Sequence, residues 1–253
     1  MGPSIDVIVP VFNPRQNLET IIHNILDQEY VQVHVIIIDD ASSSGQEVIE
    51  KLALEKKVSV YKHTHNRGGG HARNTGLTYA KSEYLAFCDS DDFWMAKKLD
   101  EQIKYMEKMK LSMTHTDILP VGVDGIAKER IKTSDKIDLK TFLMSTQIYC
   151  STVCLHSSIL KNATFGSMRK RHPFKFWVNI LESGIISYRV PGSHCCTKYT
   201  IRSDSVSANR YSTAVYTLLA YLRYPKNKAL AVSCLILRLL LNKNANSRIL
   251  GKM

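Results

Sequence analysis

Three clusters of polar side chains in this chain could do chemistry. Asp89-Ser90-Asp91-Asp92 puts three carboxylates into four residues directly after an apolar run. At neutral pH such carboxylates repel, and a strand-end cleft relieves that repulsion best by binding a divalent cation with oxygen ligands; a solvated acidic turn is the plain alternative. Asp39-Asp40-Ala41-Ser42 has two readings as well. It can cap the next helix, or offer a carboxylate to a nucleotide base or ribose. Residues 66–74 combine three glycines with Arg67 and Arg73. Glycine-rich backbone opening a helix can cradle phosphate, although the spacing matches neither the P-loop nor the dinucleotide fingerprint.

These clusters need elements to hold them. Residues 5–12 are β-branched and almost continuously apolar, the pattern of a strand buried on both faces. Leu18, Ile21, Ile22, Ile25 and Leu26 then recur at helical spacing, which predicts an amphipathic helix over 16–28. The alternation continues with strands at 33–38, 58–63 and 84–88 and helices at 45–56, 71–81 and 96–110. Strands and helices alternating at this spacing mean βαβ units and a parallel sheet, whose ligands bind outside the carboxyl ends of the strands. Three polar clusters fall at such ends: Asn13 after the first strand, Asp39-Asp40 after the second and Asp89-Ser90-Asp91-Asp92 after the fourth. Further on, 113–121, 148–156 and 185–201 read as strands, and 174–183 and 211–222 as helices.

The chain has 253 residues, 44% hydrophobic and 23% charged, which excludes a disordered or low-complexity protein. Its net charge of +11 is unevenly spread. Residues 1–160 hold 18 basic and 21 acidic side chains, whereas 161–253 hold 16 and 2. A basic block behind a mildly acidic front points to one surface facing an anionic partner, such as phosphates or lipid, rather than to a nucleic-acid-binding protein. The six cysteines lack C-x-x-C spacing and no basic segment precedes an apolar stretch at the N-terminus, so reduced thiols and a cytoplasmic location are expected. The longest apolar run, 229–237, is too short to span a bilayer.

Taken together, residues 8–13 (IVPVFN), Ile38-Asp39-Asp40-Ala41-Ser42, Asn66 with Gly68 and Ala72-Arg73-Asn74-x-Gly76, and Asp89-Ser90-Asp91-Asp92 resemble glycosyltransferase family 2 in order and spacing. Ser151-Thr152-Val153, Phe176-Trp177-x-x-x-Leu181-Glu182-x-Gly184 and Tyr199-x-x-Arg202-x-x-Ser205 extend the resemblance to about residue 209, closest in look to bacterial surface-polysaccharide enzymes of the O-antigen or capsule type. The resemblance implies an α/β GT-A fold. Residues 1–110 would be the nucleotide-sugar half, 111–210 the acceptor half of the same domain, and 211–253 basic amphipathic helices. It also implies inverting transfer of a hexose or N-acetylhexosamine from a UDP-sugar to a saccharide acceptor, carried on a polyprenyl diphosphate, with Mn²⁺ or Mg²⁺ as cofactor.

Carried over residue by residue, Pro10, Phe12 and Asp40 would flank the base, and Arg67 would lie near the uracil or phosphates. Asp89 would hold the ribose or metal-bound water, and Asp91 would be the principal metal ligand. Asn13, Arg73 and Ser90 complete the nucleotide-binding set. One position departs from the family, which commonly places a carboxylate base four residues before the Trp of the Phe-Trp pair. Here that position is Pro173, and proline cannot be a base. His172 and Asp204 are the substitutes; a plain loop histidine, exposed among Arg169, Lys170 and Arg171, competes with the catalytic role of His172.

Two other readings compete: a nucleotide-sugar-binding relative that has lost catalysis, and a sugar nucleotidyltransferase, which expects a basic glycine-rich signature after the first strand that residues 10–16 lack. The basic, apolar C-terminal segment reads either as helices closing the domain or as an anchor on anionic lipid, on the inner face of the cytoplasmic membrane.

Overall fold

The computed structural model describes residues 2–122, 125–192, 197–200 and 210–249. Strands β1 (Ser4–Val11), β2 (Gln32–Asp39), β3 (Val58–Lys62) and β4 (Tyr84–Phe87) form where the apolar runs place them. Helices α1 (Leu18–Leu26), α2 (Gln46–Leu52) and α3 (Gly69–Tyr79) connect them, and all three strand pairings are parallel. The sheet continues through β9 (Val153–His156), β6 (Met113–His115), β10 (Ser187–Arg189) and β8 (Lys136–Ile137), in the order β3-β2-β1-β4-β9-β6-β10-β8. Here β9 runs antiparallel to β4 and β6, and β8 antiparallel to β10. A second sheet, β5-β11-β7, joins β5 (Phe93–Trp94), β11 (Thr197–Thr200) and β7 (Ile118–Val121).

The side-chain alternation of the strands divides the core into two layers. Ile5, Val7, Val9, Val35 and Ile37 pack with α1, α2 and α4 (Lys98–Met109) on one face. Ile8, Ile36, Ile38, Leu85 and Phe87 pack on the other, with α3, α5 (Leu139–Ser145), α6 (His172–Leu181), α7 (Arg210–Arg223) and α8 (Lys228–Ile249).

The front half thus follows the periodicity, while the back half departs from it. The stretch 113–121 is two strands in different sheets, because buried Thr116 and Asp117 interrupt it: Asp117 accepts from the Thr133 amide at 2.9 Å and pairs with Arg130. The stretch 185–201 splits likewise between β10 and β11. The first part of 148–156 is a 3₁₀ turn at Cys150–Thr152. The two-residue strands β5 and β8 carry too short a pattern to show. Helix α5, which the sequence reading did not place, starts at a cap in which the Asp138 carboxylate accepts from the Thr141 amide at 2.7 Å.

Helices α7 and α8 complete the second core layer. Tyr221 is fully buried and donates to the Leu143 carbonyl, and Ala220, Ala231, Cys234 and Leu235 are buried with it. Their outward faces are not polar: Val215, Leu218, Leu219 and Leu222 on α7, and Ile236, Leu237, Leu239 and Leu240 on α8, are exposed. The amphipathic pattern expected for this segment is therefore only partial, because apolar side chains point both inward and outward. Among the described residues no helix is long and apolar enough to cross a membrane.

Candidate active site

At the carboxyl ends of the parallel strands, Pro10, Phe12, Asp40, Arg73, Asp89, Ser90 and Asp91 line one cavity of about 230 Å³. The β1 end, the β2 end, α3 and the acidic loop after β4 each contribute to it. Asn13 and Arg67 do not line it. Asn13, at φ +48°, accepts from the Ser43 amide at 2.8 Å and donates its own amide to Ser42 Oγ at 2.9 Å, pinning the two strand-end loops together. Arg67 is exposed and faces a neighbouring groove between residues 66–71 and 166–172.

Asp40 is 3% exposed, and its carboxylate organises the glycine loop. It accepts from the amides of Arg67 at 2.9 Å and Gly68 at 2.6 Å, and lies 2.7 Å from His63 Nδ1. Gly70 is there for close packing. A Cβ at that position would lie 2.6 Å from the Gly166 carbonyl oxygen and 2.9 Å from the Cβ of His172, so only glycine lets the start of α3 approach the start of α6.

That approach brings Arg73 to the centre of the site. Its guanidinium is 5% exposed; Nη1 donates to the Gly69 carbonyl at 3.1 Å and to His172 Nε2 at 2.8 Å, and Nη2 pairs with Asp89. Burial, the largest single influence, would lower the Arg73 pKa, but Asp89, Cys150 and Asp92 together outweigh it and the net shift is upward. His172 is the first residue of α6 and not the exposed loop histidine that its basic neighbours suggested. Burial first, and the Arg73 charge second, push its pKa down to about 3. The imidazole is neutral at physiological pH, and its Nε2 lone pair is engaged.

A second cavity, of about 510 Å³, opens from the same Asp89 and Asp91. Asp92, Tyr199 and Thr200 flank the acids, Tyr149 and Trp177 form walls, and Arg169, Lys170, Arg171 and Pro173 line the basic part. Pro173 occupies the first turn of α6 and faces this cavity. Ser151 braces the acidic loop. Its hydroxyl accepts from the Asp89 amide at 3.0 Å, and its carbonyl accepts from Trp94 Nε1 at 2.8 Å.

The acidic loop fits a hard divalent cation. Its donors are all oxygens, and Asp92 is 1% exposed with an Oδ2 that has no partner. Burial, reinforced by the Asp89 charge, pushes the Asp92 carboxyl well above its usual range. Among the described residues no three His, Cys, Asp or Glu side chains converge into a complete metal cage.

Of the nine nucleotide and metal candidates read from the sequence, seven line the smaller cavity and Asn13 and Arg67 do not; His172 lines the larger one, and the reading passed over Arg171 and Tyr149 on its wall. The signal for Arg171 was present in the basic run 169–171, read there only as the setting of His172. Asp204, Cys195 and Cys196 lie outside the described residues; Cys88, Cys150, Cys154 and Cys234 are buried free thiols.

Comparison with known proteins gives this arrangement its context. The family model described as glycosyl transferase family 2 matches residues 6–161. The chain is 28% identical over 222 residues to the putative teichuronic acid biosynthesis glycosyltransferase TuaG of Bacillus subtilis, covering 87% of each chain. It is 31% identical to an uncharacterized glycosyltransferase of Haemophilus influenzae, covering 88% of this chain and 90% of that one. It is 28% identical to the Escherichia coli UDP-Glc:alpha-D-GlcNAc-diphosphoundecaprenol beta-1,3-glucosyltransferase WfaP, covering 83% and 82%. In fold it is similar to S. aureus TarS in complex with UDP-GlcNAc, with a TM-score of 0.70 at 17% identity over 93% of this chain and 71% of that one. It is also similar to the mannosyltransferase PcManGT of Pyrobaculum calidifontis in complex with GDP-Man and Mn²⁺, with a TM-score of 0.62 at 16% identity over 100% and 82%. The mostly parallel sheet with helices on both faces is the GT-A fold, and the chain belongs to glycosyl transferase family 2.

Proposed function

We propose that the protein transfers a hexose or N-acetylhexosamine, with inversion, from a UDP-sugar to a saccharide acceptor carried on a lipid diphosphate, in the assembly of a bacterial polysaccharide. One observation carries this reading: the 230 Å³ strand-end cavity and the 510 Å³ cavity meet at Arg73, Asp89 and Asp91. The smaller has the aromatic, proline and carboxylate lining that suits a nucleotide. The larger has room for an acceptor. The UDP-GlcNAc bound by TarS and the diphosphoundecaprenol acceptor in the name of WfaP support the two assignments.

Asp91, with Asp89, would hold Mn²⁺ or Mg²⁺. When bound, such a cation neutralises charge on the departing diphosphate. Arg73 brings a fixed positive charge to the same junction, kept in register by Asp89 and His172. The acceptor hydroxyl must lose its proton as it attacks. His172 can take that proton only if Arg73 releases its Nε2, which leaves Asp204 as the stronger of the two proton acceptors.

The same engagement of His172, together with Pro173 on the cavity wall, favours a second reading: a relative that binds nucleotide-sugar without transferring it. Sugar transfer to an added acceptor separates the two.

Beside the outward apolar faces of α7 and α8 stand the exposed Arg223 and Lys228 at the facing helix ends and Lys226 between them, and residues 205–253 contain no acid. Charge complementarity makes an anionic lipid surface the occupant of this face, with the protein peripheral on the inner side of the cytoplasmic membrane.

The nucleotide reading is tested by titrating UDP into the protein with and without Mn²⁺. The wild type should bind more tightly with the metal, and Asp91→Ala should lose that gain while keeping its thermal unfolding transition. Metal-dependent affinity that survives Asp91→Ala would overturn the assignment of Asp91.

A further inference from the structure

His63 has no part in the chemistry described above, yet it is 8% exposed and both of its ring nitrogens are engaged. The parallel register of β2 and β3 pairs Asp39 with Lys62, so Asp40 and His63, each the first residue beyond its strand, leave the sheet side by side. The His63 amide donates to the Asp39 carbonyl at 2.8 Å, which carries the ladder one residue past β3. Its ring then lies 2.7 Å from Asp40 Oδ1 through Nδ1, and 2.9 Å from Thr75 Oγ1 on α3 through Nε2. A carboxylate only accepts, so Nδ1 carries the hydrogen toward Asp40, and the Thr75 hydroxyl can donate to Nε2.

An ionised carboxylate has about four acceptor positions, two on each oxygen. On Asp40 Oδ1 both are filled, one by His63 Nδ1 and one by the Arg67 amide. On Oδ2 the Gly68 amide fills one. Among the described residues the Asp40 carboxylate has no further partner, and it lines the 230 Å³ cavity with Pro10 and Phe12. One acceptor position, on Oδ2, is left for a ligand. The three bonds also fix the plane of the carboxylate, so it does not turn to present a second.

Bases differ in how many N–H groups they bring to such a position. Uracil brings one imino N–H, set between two carbonyls. Guanine brings its N1–H and its exocyclic amine side by side, an edge that a carboxylate meets with one free position on each oxygen. With Oδ1 filled, the uracil donor is satisfied, whereas one of the two guanine donors is left buried and unpaired. Resting on the reading above that Asp40 faces the donor base, we propose that His63 is a positioning residue that sets base specificity. By filling the second acceptor position of Asp40 Oδ1 it leaves a single acceptor for the base, and so selects a uridine over a guanosine nucleotide.

The probes are UDP, GDP and N3-methyluridine diphosphate, which lacks the imino N–H, each titrated calorimetrically with Mn²⁺ into the full chain. The wild type should prefer UDP to both. His63→Phe keeps a planar ring but loses both nitrogens, and should narrow the preference for UDP over GDP by about tenfold, the scale of one hydrogen bond to a charged group. A general loosening of the fold would weaken UDP and GDP alike and leave their ratio in place. His63→Asn, whose Nδ2 can stand in for Nδ1, should restore most of the preference. If the phenylalanine variant does not fold, His63→Ala carries the same comparison. An unchanged ratio of UDP to GDP affinity, in a protein that still prefers UDP to the methylated nucleotide, overturns the role of His63 and leaves Asp40 at the base. Equal wild-type affinity for UDP and its methylated form removes Asp40 from the base, and the proposal with it. A wild type that binds GDP as tightly as UDP also overturns the proposal.

Discussion

His172 Nε2 accepts a hydrogen bond from Nη1 of Arg73 at 2.8 Å, across 99 residues of sequence, and the same guanidinium reaches Asp89 through Nη2. The imidazole thus backs the charge that sits where the two cavities meet. Its role is to hold Arg73 in position, and this has consequences that distinguish it from a proton acceptor.

Replacing His172 by alanine leaves a buried guanidinium proton unpaired, so UDP affinity in the presence of Mn²⁺ should fall by about tenfold. His172→Gln offers a side-chain oxygen in place of Nε2 and should restore most of that affinity, although glutamine cannot act as a base near neutral pH. If glutamine and alanine behave alike in a UDP titration, His172 does not work through Arg73.

The half-buried, neutral state of His172 ties stability to pH. Its pKa is about 3 in the folded protein against an ordinary 6.5, so between these values the unfolded chain binds the extra proton. The contribution is complete above pH 6.5 and is lost as pH falls toward 3, amounting to roughly 2 kcal/mol at pH 5. Buried His115, lowered to about 4 chiefly by burial, acts in the same direction. Urea midpoints at pH 7 and pH 5 should drop more in the wild type than in His172→Gln, and parallel drops would contradict the burial of a neutral imidazole.

Pro173 sits in the first turn of α6 and faces the larger cavity, so a carboxylate placed there gains from the helix N-terminus and, on the proposed reading, from proximity to the acceptor. Pro173→Asp should raise transfer to acceptor by about a hundredfold if the natural protein lacks a positioned base, with UDP affinity unaltered. Brisk transfer by the natural protein, unimproved by Pro173→Asp and slowed by Asp204→Ala, would instead make Asp204 the base.

Leu218 and Leu222 are one turn apart on the outward face of α7, both nearly half exposed. Leu218→Glu combined with Leu222→Glu should reduce sedimentation with anionic vesicles at low salt, and added salt should weaken the binding of the wild type. Deleting the tail is the poorer test, because Tyr221 and Leu235 belong to the core and their loss would unfold the second layer. Unchanged sedimentation of the doubly substituted protein would mean that α7 and α8 only close the fold.

How much of this was legible in the sequence follows from the range of the interactions involved. The alternation of residues 5–12 and the helical spacing from Leu18 to Leu26 are local, so β1, α1 and the parallel front of the sheet could be read from them, and with them the placing of Pro10, Asp40, Asp89 and Asp91 at strand ends. The acidic loop and the family resemblance followed from residue types at short spacing. Other features depend on contacts between distant segments and carry no periodicity. The split of 113–121 between two sheets rests on Asp117 meeting Thr133 and Arg130. The neutrality of His172 rests on Gly70, which lets α3 and α6 approach closely enough for Arg73 to reach it. Arg171 read as one of three basic neighbours in a loop. Only the packing of α7 against α6 brought its Nε to Thr217 Oγ1, because such contacts are decided by which surfaces the hydrophobic core brings together and not by order along the chain.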